Sequence, residues 1–256
     1  EHDGYIYSGT WSDDGPVIGC NDPLAYNNDS ESNTVINCLY NQGPDWYVSE
    51  DGDDTYNDGS EDNPYATINH AINQIQTDST GVIHVGVGTF YEHISISNKS
   101  LSLIGEGPTS TIIDGEYTIS GDGTIVTFYQ SPNSLIEGVT IQNGNEAEDS
   151  VAGIYVSNWS NLILDNVIVS NNGSPEGNSS VGGILTYYSD LIVRNSLITG
   201  NRGEYGGIKT TFGDMQVENS TIVDNGDVSL HIDWGSTVNI INSIIEINNP
   251  VDDNGW

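Results

Sequence analysis

The chain has 256 residues, of which 37 are Asp or Glu and 4 are Lys or Arg, giving a formal net charge of −33. A surface this acidic repels phosphate backbones and anionic lipid headgroups, which excludes nucleic acid and charged membranes as partners. No apolar run approaches the ~18 residues that span a bilayer, so no membrane insertion is expected. Hydrophobic residues make up 35% and recur in short Ile, Val and Leu clusters, as in folded rather than disordered chains. The chain starts at Glu1, which reads as a processed product. Abundant Asp with almost no Lys suits an extracellular or cell-surface site in saline water, where salt screens self-repulsion.

Residues 1–45 show no regular period and are read as an irregular segment. Cys20 and Cys38 enclose 17 residues. In a secreted chain that spacing predicts a disulfide worth about 3 kcal/mol by loop closure; in a cytosolic chain it reads as two free thiols. The run Gly19-Cys20-Asn21-Asp22-Pro23-Leu24-Ala25-Tyr26-Asn27, closed by Cys38-Leu39-Tyr40, resembles a short Cys module of secreted bacterial surface proteins. The resemblance implies a bonded pair and a bacterial source. Where that module carries Asp-Asp-Gly-Ser, this chain has Thr34-Val35-Ile36-Asn37.

Residues 46–106 change character. Trp46-Tyr47-Val48-Ser49 reads as a strand, followed by an acidic loop from Asp51 to Ser60. Thr67 is placed to cap a helix whose Ile68, Ile72 and Ile75 share one face. Strands follow at 82–85, 94–96 and 101–104. The order Tyr47-Val48-Ser49, Asp58-Gly59-Ser60, Asn63-Pro64-Tyr65-Ala66-Thr67-Ile68, Gly88-Thr89-Phe90-Tyr91-Glu92 and Ile104-Gly105-Glu106 resembles the N-terminal cap and first coil of the pectin-lyase-like superfamily. That resemblance implies a right-handed parallel β-helix.

Residues 124–249 repeat. Segments beginning Gly153-Ile154, Gly183-Ile184, Gly207-Ile208 and His231-Ile232 align, and each ends in an Asn: Asn166, Asn195, Asn219 and Asn242, which are 29, 24 and 23 residues apart. A further Asn follows six residues after each, at 172, 201, 225 and 248. An antiparallel sandwich does not account for a repeat of this length with a fixed Asn. The expected fold is all-β, a single-stranded right-handed parallel β-helix solenoid over 46–256 with an N-terminal capping helix. Asn166, Asn195, Asn219 and Asn242 are expected to stack as an internal amide ladder, and Gly153, Gly183 and Gly207 to permit tight turns.

If the four Ile residues point inward, Tyr155, Leu185, Lys209 and Asp233 point outward. Lys209 and Arg202 flank the Gly203–Gly207 turn and are the one candidate catalytic constellation, with a Lys209–Asp233 ion pair as the competing reading. Arg194 is read as a solvated corner residue. Tyr155, Tyr187 and Trp234 head a list of aromatic residues suited to stacking on sugar rings, or to covering the flank of a sheet. The loop carboxylates Asp51, Asp53 and Asp58 supply hard oxygen ligands, making calcium the one candidate cofactor; a solvated acidic loop is the alternative.

These features lead to the expectation of a secreted, non-catalytic β-helix, a structural and self-associating surface or filament-type subunit whose partners are copies of itself. Two other readings stand beside it. The superfamily resemblance implies a calcium-assisted polysaccharide lyase, and the aromatic residues suit a glycan-binding module with an extracellular polysaccharide as partner.

Overall fold

The computed structural model describes residues 19–21, 29–32, 38, 41–116, 123–145, 151–173 and 181–246. Most of segment 1–45, together with Asn248 and the C-terminal residues 247–256, lies outside the described residues. Cys20 and Cys38 are joined by a disulfide.

Among the described residues, three parallel sheets wrap one core. Sheet I has eight strands, in the spatial order Asp45–Val48, Thr80–Val85, Ser100–Gly105, Ser134–Glu137, Asn161–Asp165, Asp190–Arg194, Asp214–Glu218 and Thr237–Ile241. Sheet II has seven: Gly88–Phe90, Thr111–Asp114, Thr140–Gln142, Ile168–Ser170, Leu197–Thr199, Thr221–Val223 and Ile244–Ile245. Sheet III has six: Ile94–Ser97, Val126–Tyr129, Ile154–Ser157, Ile184–Tyr187, Ile208–Thr211 and Leu230–Ile232. The chain runs from sheet III to I to II and returns to III one rung further on, so every strand pairs with its counterpart in the neighbouring coil. This is a parallel β-helix.

Inward residues alternate with outward ones along each strand. Ile94, Val126, Ile154, Ile184 and Ile208 stack in the core from sheet III, and Leu162, Leu191 and Met215 from sheet I. A single coil has no second layer to bury these side chains against; its neighbours supply it.

The helix Ile68–Gln74 closes the N-terminal end, packing on strands Asp45–Val48, Thr80–Val85 and Ile94–Ser97 with Ile68, Ala71 and Ile72 buried. Thr67 is its N-cap, accepting from the His70 backbone N–H at 3.2 Å. Glu92 accepts from the Ile68 and Asn69 N–H groups at 2.7 and 2.9 Å, and Lys99 Nζ donates to the Ile72 carbonyl at 2.7 Å. A carboxylate at the first turn and an ammonium at the last both suit the helix dipole. Lys99 thus caps the C-terminal end of this helix.

The expected Asn ladder lies at a different corner. Asn166, Asn195, Asn219 and Asn242 occupy the turn between sheets I and II with φ of 53°, 53°, 48° and 47°, and all four are exposed. Their recurrence reflects the left-handed backbone that Asn tolerates. One pair among them bonds, Asn242 Nδ2 to Asn219 Oδ1 at 2.7 Å, while Asn195 Nδ2 donates to Asp165 Oδ1 at 2.8 Å. The buried ladder is the later series. Asn172 Nδ2 donates to Asn201 Oδ1, and Asn201 Nδ2 to Asn225 Oδ1, each at 2.9 Å.

The glycines before the inward Ile residues serve close packing rather than a left-handed turn. A Cβ on Gly183 would overlap the Gly207 carbonyl oxygen, and one on Gly207 the Ser229 carbonyl oxygen.

Candidate active site

The outward column of sheet III runs Thr127, Tyr155, Leu185, Lys209 and His231. The last rung departs from the repeat read in the sequence. Leu230, not Ile232, pairs with Ile208; His231 pairs with Lys209; and Ile232 pairs with Thr210 and is 47% exposed. His231 therefore stands beside Lys209, where Asp233 was expected.

Three side chains meet at this point. Lys209 Nζ lies 3.9 Å from the centroid of the Tyr205 ring, and the His231 ring packs on Tyr205 with centroids 4.5 Å apart. The loop from Gly200 to Gly207 carries Tyr205 over the sheet, where Tyr205 bridges to Val181. A hydrogen bond to the Glu204 carboxylate, assisted by burial and by the charges of Glu204 and Asp233, pushes the Tyr205 phenol above its ordinary range. A negative charge on the ring oxygen is disfavoured there, so the phenol stays a donor.

The expected Lys209–Asp233 ion pair is not formed: the ammonium sits on the Tyr205 ring, and Asp233 Oδ1 accepts from the Trp234 N–H at 2.8 Å. Arg202 is exposed in the loop, and among the described residues it makes no ion pair. Arg194 is not simply solvated, since its Nε donates to Asp165 Oδ2 at 2.8 Å. Tyr155 and Tyr187 both lie on the outer side of sheet III, on neighbouring rungs and in different columns. Tyr187 packs edge-on to Tyr188 and Phe212, and Trp234 stands beyond the sheet at its corner with sheet I.

The acidic loop is folded around its own backbone. Asp53 Oδ1 accepts from the N–H groups of Thr55 and Tyr56; Asp58 accepts from Ser60 through one oxygen and from the Asn41 N–H through the other. Asp54 binds the entry to the helix through Ala66 and Thr67. Asp51, Asp53 and Asp58 are not drawn together, and among the described residues no three His, Cys, Asp or Glu side chains form a metal-binding group.

Sequence reading missed Tyr205 and the outward placement of His231. The signal available for His231 was the alternation Leu230-His231-Ile232, which the Gly-Ile alignment overrode. Tyr205 stands three residues before Ile208, as Val181 does before Ile184 and Val151 before Ile154, so its place in the repeat, with Tyr in place of Val, was the available signal.

Two family models match the chain: the right-handed β-helix region over residues 115–255, and pectinesterase over residues 55–165. A putative pectinesterase/pectinesterase inhibitor 28 of Arabidopsis thaliana is 30% identical over 114 residues, 43% of this chain and 14% of that protein, so the chain spans about a seventh of that relative. Among solved structures, a pectin methylesterase in complex with a hexasaccharide superposes with a TM-score of 0.51 at 15% identity, covering 79% of this chain and 66% of that one. Pectin methylesterase PemA from Erwinia chrysanthemi gives 0.49 at 16% identity, covering 72% and 55%. At such identities the structural likeness concerns the fold.

The pectinesterase match overturns two expectations. It points away from a non-catalytic, self-associating structural subunit, and it replaces the lyase with an esterase as the enzymatic reading. The β-helix model covers more than half of the residues and agrees with the three stacked parallel sheets. The chain belongs to the right-handed β-helix family.

Proposed function

We propose that this protein is an extracellular polysaccharide esterase that hydrolyses the alkyl esters of a pectin-type uronic acid polymer on the outer face of sheet III. One observation carries the reading: residues 55–165, the stretch matching the pectinesterase family, contribute the sheet III strands at 94–97, 126–129 and 154–157 that lead into the Tyr205–Lys209–His231 cluster. The disulfide suits the extracellular setting, and the acidic surface suits a saline one.

Ester hydrolysis needs a group that takes a proton from water and one that meets the oxyanion. In this reading the His231 imidazole removes a proton from a water molecule as the oxygen of that water adds to the ester carbonyl carbon. The Lys209 ammonium faces the resulting tetrahedral oxyanion. Collapse breaks the bond to the alkoxy group, which leaves as the alcohol with the proton held by His231, and the new carboxylic acid of the polymer loses the second water proton to solvent to become a carboxylate. Tyr205, which packs on the His231 ring and lies under the Lys209 ammonium, is a positioning residue. Tyr155 and Tyr187 lie along the same face as sugar contacts. Release of methanol from methyl-esterified polygalacturonate tests the reading, with Lys209→Ala expected to lower the rate at least about 100-fold.

A further inference from the structure

Away from that cluster, the corner between sheets III and I repeats a three-residue unit on successive rungs: Trp159-Ser160-Asn161, Tyr188-Ser189-Asp190 and Phe212-Gly213-Asp214. The middle position faces inward. Ser160 Oγ accepts from the Ser131 N–H at 3.0 Å, and Ser189 Oγ from the Ser160 N–H at 3.2 Å. The outer two positions form the surface. Tyr188 and Phe212 stack with centroids 4.6 Å apart at 13°, and Trp159 tilts onto Tyr188 at 5.9 Å. On the next rung stands Trp234, whose carbonyl accepts from the Phe212 N–H. Trp159 and Trp234 are 73% and 78% exposed.

The fold does not require these rings. Gln130, Asn158 and Gly235 hold the same left-handed corner with φ of 51°, 57° and 68°, as Tyr188 and Phe212 do at 50° and 57°, and Trp159 adds a second left-handed residue at 67° on the Asn158 rung. Bulky side chains disfavour that conformation, and these rings lie outside the core. Their recurrence is therefore a property of the surface.

We infer that this corner is a holding strip for an uncharged polysaccharide chain. Taken with the esterase reading, on which this part rests, it holds the esterified stretch of the substrate. A surface that repeats every rung fits a ligand that repeats. From Trp159 to Trp234 the strip crosses three rungs, about 14 Å at ~4.8 Å per rung. The open indole faces of Trp159 and Trp234 meet the C–H surfaces of sugars. Asp190 Oδ1 accepts from the Asp214 N–H at 2.9 Å and Asp214 Oδ1 from Thr237 Oγ1 at 2.5 Å, leaving the second oxygen of each exposed carboxylate to accept from sugar hydroxyls. The same carboxylates, on a chain of net charge −33, repel a polyuronate. Esterified chain is held, and chain that has lost its esters is released.

The test is native gel electrophoresis of the full chain through carboxyl-reduced polygalacturonate, which keeps the backbone but has neither charge nor ester, and through polygalacturonate itself. Retardation by the reduced polymer alone is expected, with about tenfold more polymer needed for Trp159→Ala/Trp234→Ala. Equal retardation of the wild type and the double variant overturns the inference, as does equal retardation by the two polymers. If the double variant does not fold, Trp234→Ala alone carries the comparison, because that ring is the more exposed. No catalysis enters this measurement, so a failure to release methanol leaves the uncharged-chain strip standing, and a failure to bind leaves the esterase reading standing.

Discussion

Asn201 Oδ1 accepts from both the backbone N–H and the side-chain amide of Asn172, at 3.1 and 2.9 Å, in the buried corner that follows sheet II. Asn201 in turn donates to the Val169 carbonyl at 2.9 Å and to Asn225 Oδ1 at 2.9 Å. Asn201→Ala removes the acceptor of the Asn172 N–H and of one Asn172 amide hydrogen, together with the donor to the Val169 carbonyl, in a dry interior. Each such loss costs roughly 1–3 kcal/mol, so the variant should be destabilised by about 3 kcal/mol or more. Asn195→Ala, at an exposed turn, should cost about 1 kcal/mol. Urea unfolding of the two variants decides the matter; equal losses would return the ladder to the outer turn.

Glu92 links the start of the helix to the first coil, and burial pushes its carboxyl above the usual range despite the Ile68 and Asn69 donors that favour its charged form. The native state therefore holds this proton more tightly than the unfolded chain does. The stabilising contribution is fully present below the unfolded pKa and is lost as pH rises through the folded one. The stability of the wild type minus that of Glu92→Gln should fall as pH is raised from the acid range toward neutrality. A flat or rising difference in calorimetric scans would show that burial does not dominate at Glu92.

Gly207→Ala places a methyl group on the Ser229 carbonyl, the acceptor of the Ile208 N–H at 3.0 Å. Backbone cannot swing aside as a side chain does, so the rung must part. A loss of about 3 kcal/mol or more is expected, among the large effects of single substitutions. A variant melting within a few degrees of the wild type would mean that sheet III tolerates separation at its sixth strand.

Much of the fold was legible because a β-helix writes the same physics once per coil. Ile154, Ile184 and Ile208 must stack, and the Thr67 cap with its Ile face marks the closing helix. The Asn series misled because two different requirements, a left-handed turn at Asn195 and a buried stack at Asn201, select the same residue at the same period; spacing does not say which corner is dry. The candidate site was less legible. Tyr205 takes the place that Val151 and Val181 hold on the earlier rungs, a position outside the Gly-Ile and Asn marks by which the repeat was read. His231 sits on the last rung of sheet III, where Ile232 is exposed and the apolar signal that fixes register is weak. Aromatic residues were visible as a group, but the inward Ser160 and Ser189, which tie the III–I corner to the preceding rungs, were not.

Ester hydrolysis on an acidic polysaccharide is the activity proposed for the face of sheet III carrying Lys209 and His231. Incubation with highly methyl-esterified polygalacturonate, followed for methanol, new carboxyl groups and unsaturated chain ends, tests it directly. Methanol and carboxyl should appear in equal amounts without unsaturated ends, and His231→Gln should slow both by about 100-fold or more. Absence of methanol from the folded wild-type protein, or an undiminished rate in His231→Gln, would contradict the account.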